Sequence, residues 1–486
     1  MTLFLISLAI LIGGYFIYGK LAEKIFGTDP DRQTPAVTNA DGVDFVAMPT
    51  WKVFLIQFLN IAGMGPIFGA IMGVMFGPAA FLWIVFGTIF AGGVHDFIAA
   101  MMSLRSGGMS LPELVGRELG PVVKQVMRLV TLVLLVLVGA VFVLTPSEVV
   151  ASLTPDWFTM RLCAGIIFIY YILATMLPID KLIGKIYPIF GAALLFMGLG
   201  LLGYLLFGGV EIPDGIADGL YNRRADADTG LRPLFPMLCI SIACGAISGF
   251  HATQSPMMAK CLKNERLARP VFYGAMVTEG VIALIWAAAA IAFTGGYDQL
   301  AGYMAQPGHS TGTFVTDVAF AWLGMAGGLL AIFGVVAAPI STGDTALRSA
   351  RLTLSEIFNL PQKKIRNRII LCLPLFIVTF VLMLVDFEVL WRYFAWTNQT
   401  LAVFTLWAAT VYLARHNKYY WITLVPGLFM QFVTVSYILL APRPEGFGLD
   451  HTLSFWTAGL SCAAALGCFG YYLRGLRSVG LQTIND

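Results

Sequence analysis

His95, Asp96, His251 and Glu279 are ionisable residues set within runs otherwise built of Ala, Val, Ile, Leu, Phe and Gly. A charge inside such a run is costly, and residues that carry one there are usually kept for moving ions or protons. All four are therefore candidates for proton coupling. Each also has a plainer reading: His95-Asp96 as a pair near a helix end met by loop groups, and Glu279 as a contact between helices. The His-Asp dipeptide is used by metal-dependent phosphohydrolases too, but no further His or Asp stands at a usable ligand spacing. An enzyme is not expected. A second group lies in 337–348, AAPISTGDTALR, where the hydroxyls of Ser341, Thr342 and Thr345 accompany the carboxylate of Asp344, with Pro339 and Gly343 loosening the helix. Hard cations take oxygen ligands. Ser341, Thr342 and Asp344, with backbone carbonyls near Asn60–Ala62, thus make a candidate Na⁺ site, against the alternative of ordinary helix caps. No cofactor is expected beyond a coupling Na⁺ or H⁺.

Two interrupted hydrophobic segments must position these groups. In 241–258, SIACGAISGFHATQSPMM, an apolar helix is expected to stop at Ser248-Gly249-Phe250-His251 and to restart at Ser255-Pro256, an N-cap followed by a first-turn proline. In 60–68, NIAGMGPIF, Gly63-Met64-Gly65 interrupts the helix and Pro66 restarts it. Broken helices are tolerated in a bilayer only where they are buried in protein or line a cavity. Two of them in corresponding places point to a transporter's binding site. Restarted halves present N–H groups and a partial positive charge, which suits an anion. The candidate substrate residues are Gly63, Met64, Gly65, Pro66, Ser248, Gly249, His251, Thr253 and Gln254, and the expected substrate bears a carboxylate. Trp396, Asn398 and Gln399 read either as an outer gate or as structural amides.

The whole chain supports this setting. Of 486 residues, 58% are hydrophobic and only 12% charged, about half the charged share of a soluble domain. The seven Cys show no metal-ligand spacing and read as packing residues. About thirteen apolar segments are long enough to span a bilayer. Their alternation sorts the basic residues into 22 on one face and 6 on the other. The positive-inside rule then places the N-terminus outside and the C-terminus in the cytoplasm. The expected fold is an all-α, multi-pass protein. Residues 1–50 hold a first helix and loop, 51–208 and 233–414 two five-helix units, and 419–486 two last helices and a short tail. An odd number of spans per unit inverts the second unit against the first, giving a 5+5 inverted repeat.

Residues 60–97, NIAGMGPIFGAIMGVMFGPAAFLWIVFGTIFAGGVHDF, with SLRSGGMSLPELVG (103–116), ACGAISGFHATQSP (243–256) and STGDTALRSAR (341–351), resemble the motifs of the carbon starvation protein family. The resemblance covers roughly 50–415. It implies a bacterial inner-membrane secondary transporter of the amino acid–polyamine–cation superfamily, with the leucine-transporter fold, taking up peptides, or pyruvate with protons. Larger members carry additional spans and read differently after the GFHA run, on the expected substrate site. The leading expectation is alternating-access import of a small carboxylate, pyruvate or a short peptide, coupled to a proton or sodium gradient. A sensor that binds the same ligand without net transport is the alternative. Membrane lipids are expected partners, nucleic acid is not, and a homo-oligomer is left open.

Overall fold

The computed structural model describes residues 1–40, 45–176, 183–216, 219–224, 232–360 and 364–478. Of the residues used in the charge partition, Lys181 and Lys363 lie outside them, as does the end of the tail (479–486). Among the described residues the regular elements are helices. Nine are long and apolar enough to cross a membrane, or ten if a bent pair counts as one span.

In chain order the elements used below are α1 (Thr2–Phe26), α2 (Thr50–Ile61), α3 (Gly65–Val74), α4 (Ala79–Arg105) and α5 (Pro121–Ser152). They continue with α6 (Met160–Met176), α7 (Ile183–Phe207), α8 (Leu234–Ser241), α9 (His251–Ala259) and α10 (Glu265–Thr294). The last are α11 (Thr311–Ala331), α12 (Ala337–Phe358), α13 (Ile365–Leu382), α14 (Phe387–Arg415), α15 (Trp421–Leu440) and α16 (His451–Ser478). The spans α4 and α10 are the most deeply buried and α16 the least, so α4 and α10 form the centre.

The first break falls where the sequence places it. Helix α2 ends at Ile61, α3 begins at Gly65 with Pro66 in its first turn, and the two are bent by 47°. Pro66 has no N–H to give the carbonyl of Ala62, and its ring crowds that carbonyl, so a break here is favoured over one continuous helix.

The second break differs from expectation. Helix α8 already ends at Ser241, 242–250 are irregular, and α9 begins at His251, not at Ser255-Pro256. Pro256 lies inside α9. The chain unwinds early because neighbours satisfy its backbone. Trp83 Nε1 donates to Ile242 O at 3.1 Å, and Thr88 Oγ1 to Gly245 O at 3.1 Å. Gln399 Nε2 donates to Cys239 O at 2.6 Å. This accounts for polar groups that hydrocarbon would leave stranded.

Glycines let the two breaks touch. Gly65, Gly69 and Gly73 recur every fourth residue, on one face of α3. A Cβ on them would lie 2.2 Å from Cys244 Cβ, 3.0 Å from Ser241 O and 2.1 Å from Ile242 Cγ1 respectively. Helix α3 therefore rests directly on the end of α8 and the start of the unwound segment, the close backbone approach that small residues allow in membranes. Five of the seven Cys are buried; Cys462 is half-buried and Cys468 exposed.

Candidate functional site

The four ionisable residues meet at the second break. His95 Nδ1 is 2.8 Å from Asp96 Oδ1, and His251 Nδ1 is 3.0 Å from Asp96 Oδ2. His251 Nε2 is 3.5 Å from Glu279 Oε2. All four side chains are wholly buried, so α4, the start of α9 and α10 are joined by a chain His95–Asp96–His251–Glu279 shut off from solvent. Neither oxygen of Glu279 and neither Nε2 of the two histidines has a hydrogen-bond partner. No group of three or more His, Cys, Asp or Glu among the described residues is arranged to hold a metal ion.

Proton positions follow from the donor inventory. Asp96 as a carboxylate accepts from both Nδ1–H groups, which leaves His251 Nε2 free to face Glu279. A buried ionised Glu279 with no donor is costly. It therefore holds a proton itself, or faces an imidazolium at His251. The two states differ by one proton moved between His251 Nε2 and Glu279.

The break beside this chain is already capped. Asn398 on α14 accepts through Oδ1 from Phe250 N at 2.6 Å and Ser248 Oγ at 3.0 Å, and its backbone O accepts from Gly249 N at 3.0 Å. A Cβ on Gly249 would lie 2.3 Å from that backbone oxygen. The Ser248 hydroxyl and the Gly249 and Phe250 N–H groups thus meet Asn398, and Gly249 is required by the approach of α14. The side chains of Asn398 and Gln399 both hold backbone groups at the two ends of the break. Replacing Asn398 by Ala leaves the Phe250 N–H and the Ser248 hydroxyl without this acceptor in a dry site, at about 1–3 kcal/mol each. The expected result is a clearly lowered melting midpoint of the detergent-solubilised protein; an unchanged midpoint would remove the capping role.

Around the first break, Gly63 faces Phe142 and Thr342: its Cβ would be 3.4 Å from Phe142 Cε2 and 3.6 Å from Thr342 Oγ1. Gly65 faces Cys244 rather than open space. Met64 and Pro66 are buried beside them. On α9, Thr253 Oγ1 donates to Phe250 O at 2.7 Å, and Gln254 Nε2 to Thr253 Oγ1 at 2.9 Å, with Gln254 Oε1 unpartnered.

The candidate Na⁺ set is brought together only in part. The hydroxyls of Ser341 and Thr342 both donate to Ala338 O, at 2.6 and 3.0 Å, and Thr342 borders the first break. Asn60, at the end of α2 before Ala62, is buried with neither side-chain atom bonded. Asp344 lies three residues beyond Ser341, on the same helix face, and two beyond Thr342, a spacing that does not share a face; its Oδ2 is 3.6 Å from Arg348 Nη2. The helical irregularity expected at Pro339 and Gly343 lies earlier, in a π-turn at Ile332–Val336.

Residues not singled out earlier are Gln57, whose Nε2 donates to Ser255 Oγ at 3.1 Å and ties α2 to α9, and Arg392, whose Nη1 donates to Ser241 Oγ at 2.8 Å. A buried basic residue near the start of an apolar segment was the available signal for Arg392.

The fold is one shared with membrane transporters. A manganese transporter of Eremococcus coleocola superposes with a TM-score of 0.53 at 13% identity, over 90% of this chain and 99% of its own. A Na⁺-coupled sialic acid symporter superposes with a TM-score of 0.51 at 15% identity, over 95% and 96%. The family profile described as "Carbon starvation protein CstA" matches residues 1–197, 156–326 and 294–437, and the chain belongs to that family. An uncharacterised membrane protein of Haemophilus influenzae is 45% identical, over 60% of this chain and 91% of its own. The pyruvate/proton symporter BtsT of Escherichia coli is 29% identical over 57% of this chain and 47% of its own. The peptide transporter CstA of Campylobacter jejuni is 29% identical over 57% and 48%. The chain thus spans about half the length of these two named transporters.

Proposed function

We propose that this protein is a secondary transporter that imports a small carboxylate-bearing nutrient, pyruvate or a short peptide, by alternating access driven by protons. The supporting observation is the buried chain His95–Asp96–His251–Glu279 beside a broken helix. With Asp96 ionised and one proton shared between His251 and Glu279, the chain carries one net negative charge. One further proton, giving an imidazolium and a neutral Glu279, makes it neutral. A buried site that changes between charged and neutral on loading gives the protein a reason to move only when loaded.

The substrate is placed by Gly63, Met64 and Pro66 at the first break and by Thr253 and Gln254 on α9, with His251 kept to the proton chain between Asp96 and Glu279. The architecture proposed around them is the thirteen-span chain with a leucine-transporter-type 5+5 inverted repeat in 51–208 and 233–414. It lies in the bacterial inner membrane with the N-terminus outside and the C-terminus in the cytoplasm.

Sodium coupling is the second reading, favoured by the unpartnered Asn60 and the nearby Ser341 and Thr342 hydroxyls. Uptake of radiolabelled pyruvate and dialanine into proteoliposomes, under separately imposed proton and sodium gradients, decides between them. Proton-driven accumulation is expected. Sodium-driven accumulation lost in the Ser341→Ala/Thr342→Ala variant would transfer the coupling to the hydroxyl site. No accumulation of either compound would end the proposed substrate class.

A further inference from the structure

A cavity of about 440 Å³, within the roughly 300–1,000 Å³ of small-molecule sites, lies away from the ionisable chain. Its lining includes Glu148 at the end of α5, Arg224 and Arg232 before α8, His309 before α11, and Trp391 and Arg392 at the start of α14. On the charge partition, Arg224, Arg232 and Arg392 are half of the six basic residues of the outer face. The cavity therefore opens on the side from which an imported solute arrives.

Arg392 makes it more than a charged surface. Only 4% of the residue is exposed, and its Nε has no hydrogen bond, standing 4.0 Å from Glu445 Oε2. Glu445 takes a shorter bond, 2.5 Å, from Arg232 Nη2. Nη1 of Arg392 is held by Ser241, the last residue of α8 before the unwound segment, while Asn398 on the same helix caps that segment's far end. Beyond the Nη1 bond to Ser241 and the Nε ion pair with Glu445, the guanidinium of this lining residue keeps further N–H donors suited to a carboxylate. Across the same cavity, Glu148 is half-buried, and its Oε2 lies 3.0 Å from where a Cβ of Gly312 would stand. The cavity therefore offers both signs of charge and far more room than a three-carbon acid fills.

We infer that this outer cavity is a first binding site for a small zwitterion, with its carboxylate on Arg392 and its ammonium group on Glu148, before the ligand passes the broken helices. The inference rests on the import reading above, and its test is made independent of transport. A carboxylate arriving at Arg392 meets a guanidinium already bonded to Ser241 through Nη1, which connects the ligand to the start of the break.

The test uses the full chain in detergent, with exposed Cys468 replaced by Ala and half-buried Met304, another lining residue, replaced by Cys as a reporter. The rate of maleimide labelling is measured against dialanine, N-acetyl-dialanine, dialanine amide and pyruvate. Dialanine is expected to protect, and blocking either end to weaken protection at least about tenfold. Arg392→Gln should abolish the preference for a free carboxylate while Arg392→Lys retains part of it, and Glu148→Gln should abolish the preference for a free amine. Glu445 keeps Arg232 in the first of these, so no carboxylate is orphaned. Equal protection in the variants, pyruvate protecting as well as dialanine, or an unlabelled reporter would each overturn the inference. Protection that follows the expected pattern, with no uptake in proteoliposomes, would uphold the site and refute the transport reading.

Discussion

His251→Gln is expected to abolish proton-driven accumulation, by about a hundredfold or more, while substrate exchange across the same proteoliposomes continues. Glutamine fills similar space and can donate to Asp96 Oδ2, so the hydrogen bond that ties α9 to α4 survives. What it cannot do is carry a proton between Asp96 and Glu279. The unloaded and loaded states then differ only by protonating Asp96, whose two oxygens face donors and are the least suited to it. Glu279→Gln is the informative contrast. An amide imitates the protonated acid and still accepts from an imidazolium at His251, so loading persists and uptake falls by about tenfold or less. Accumulation by His251→Gln at the wild-type rate under a proton gradient would remove the chain from the mechanism. Loss in both variants, of exchange as well as accumulation, would assign the residues to packing.

Sequence reading located these four residues separately, because an ionisable group in an apolar run is conspicuous by itself. That they form one chain is a property of three helices meeting, and no spacing in a single sequence carries it. The first break was legible for the same local reason: Pro66 is at home in a first helical turn and costs a hydrogen bond anywhere later, and it follows two glycines. The second was misplaced because its position is set from outside. Trp83, Thr88, Asn398 and Gln399 supply hydrogen bonds that make unwinding at 242–250 affordable, and they come from segments far away in the chain. Asp344 stands with Ser341 and Thr342 in sequence, but its ion pair with Arg348, one helical turn on, belongs to the fold and is not carried by residue types alone. The N–H groups of Gly249 and Phe250 were free on paper only because Asn398 lies 148 residues beyond Phe250.

Gly65→Ala is expected to cost several kcal/mol and to end transport, because the added methyl group has nowhere to go. Its carbon would sit 2.2 Å from Cys244 Cβ and 2.4 Å from Cys244 Sγ, inside any van der Waals contact, and rotating the thiol relieves only the second. Overpacking of this kind typically costs about 1–3 kcal/mol where neighbours can shift, occasionally more. Here the neighbour is the unwound strand itself, held by Trp83, Thr88 and Asn398, so relief would break the bonds that permit the second break. The clash names its own remedy. Cys244→Gly removes the opposing carbon, and the double variant Gly65→Ala/Cys244→Gly should recover most of the melting midpoint lost by Gly65→Ala alone. In a double-mutant cycle the coupling should be large and favourable, where independent sites add within about 0.3–0.5 kcal/mol. Simple additivity would mean that the two broken helices do not rest on each other as described. If stability returns without transport, the Cys244 side chain itself acts in the cycle, and the contact between the breaks is a moving part rather than a fixed one.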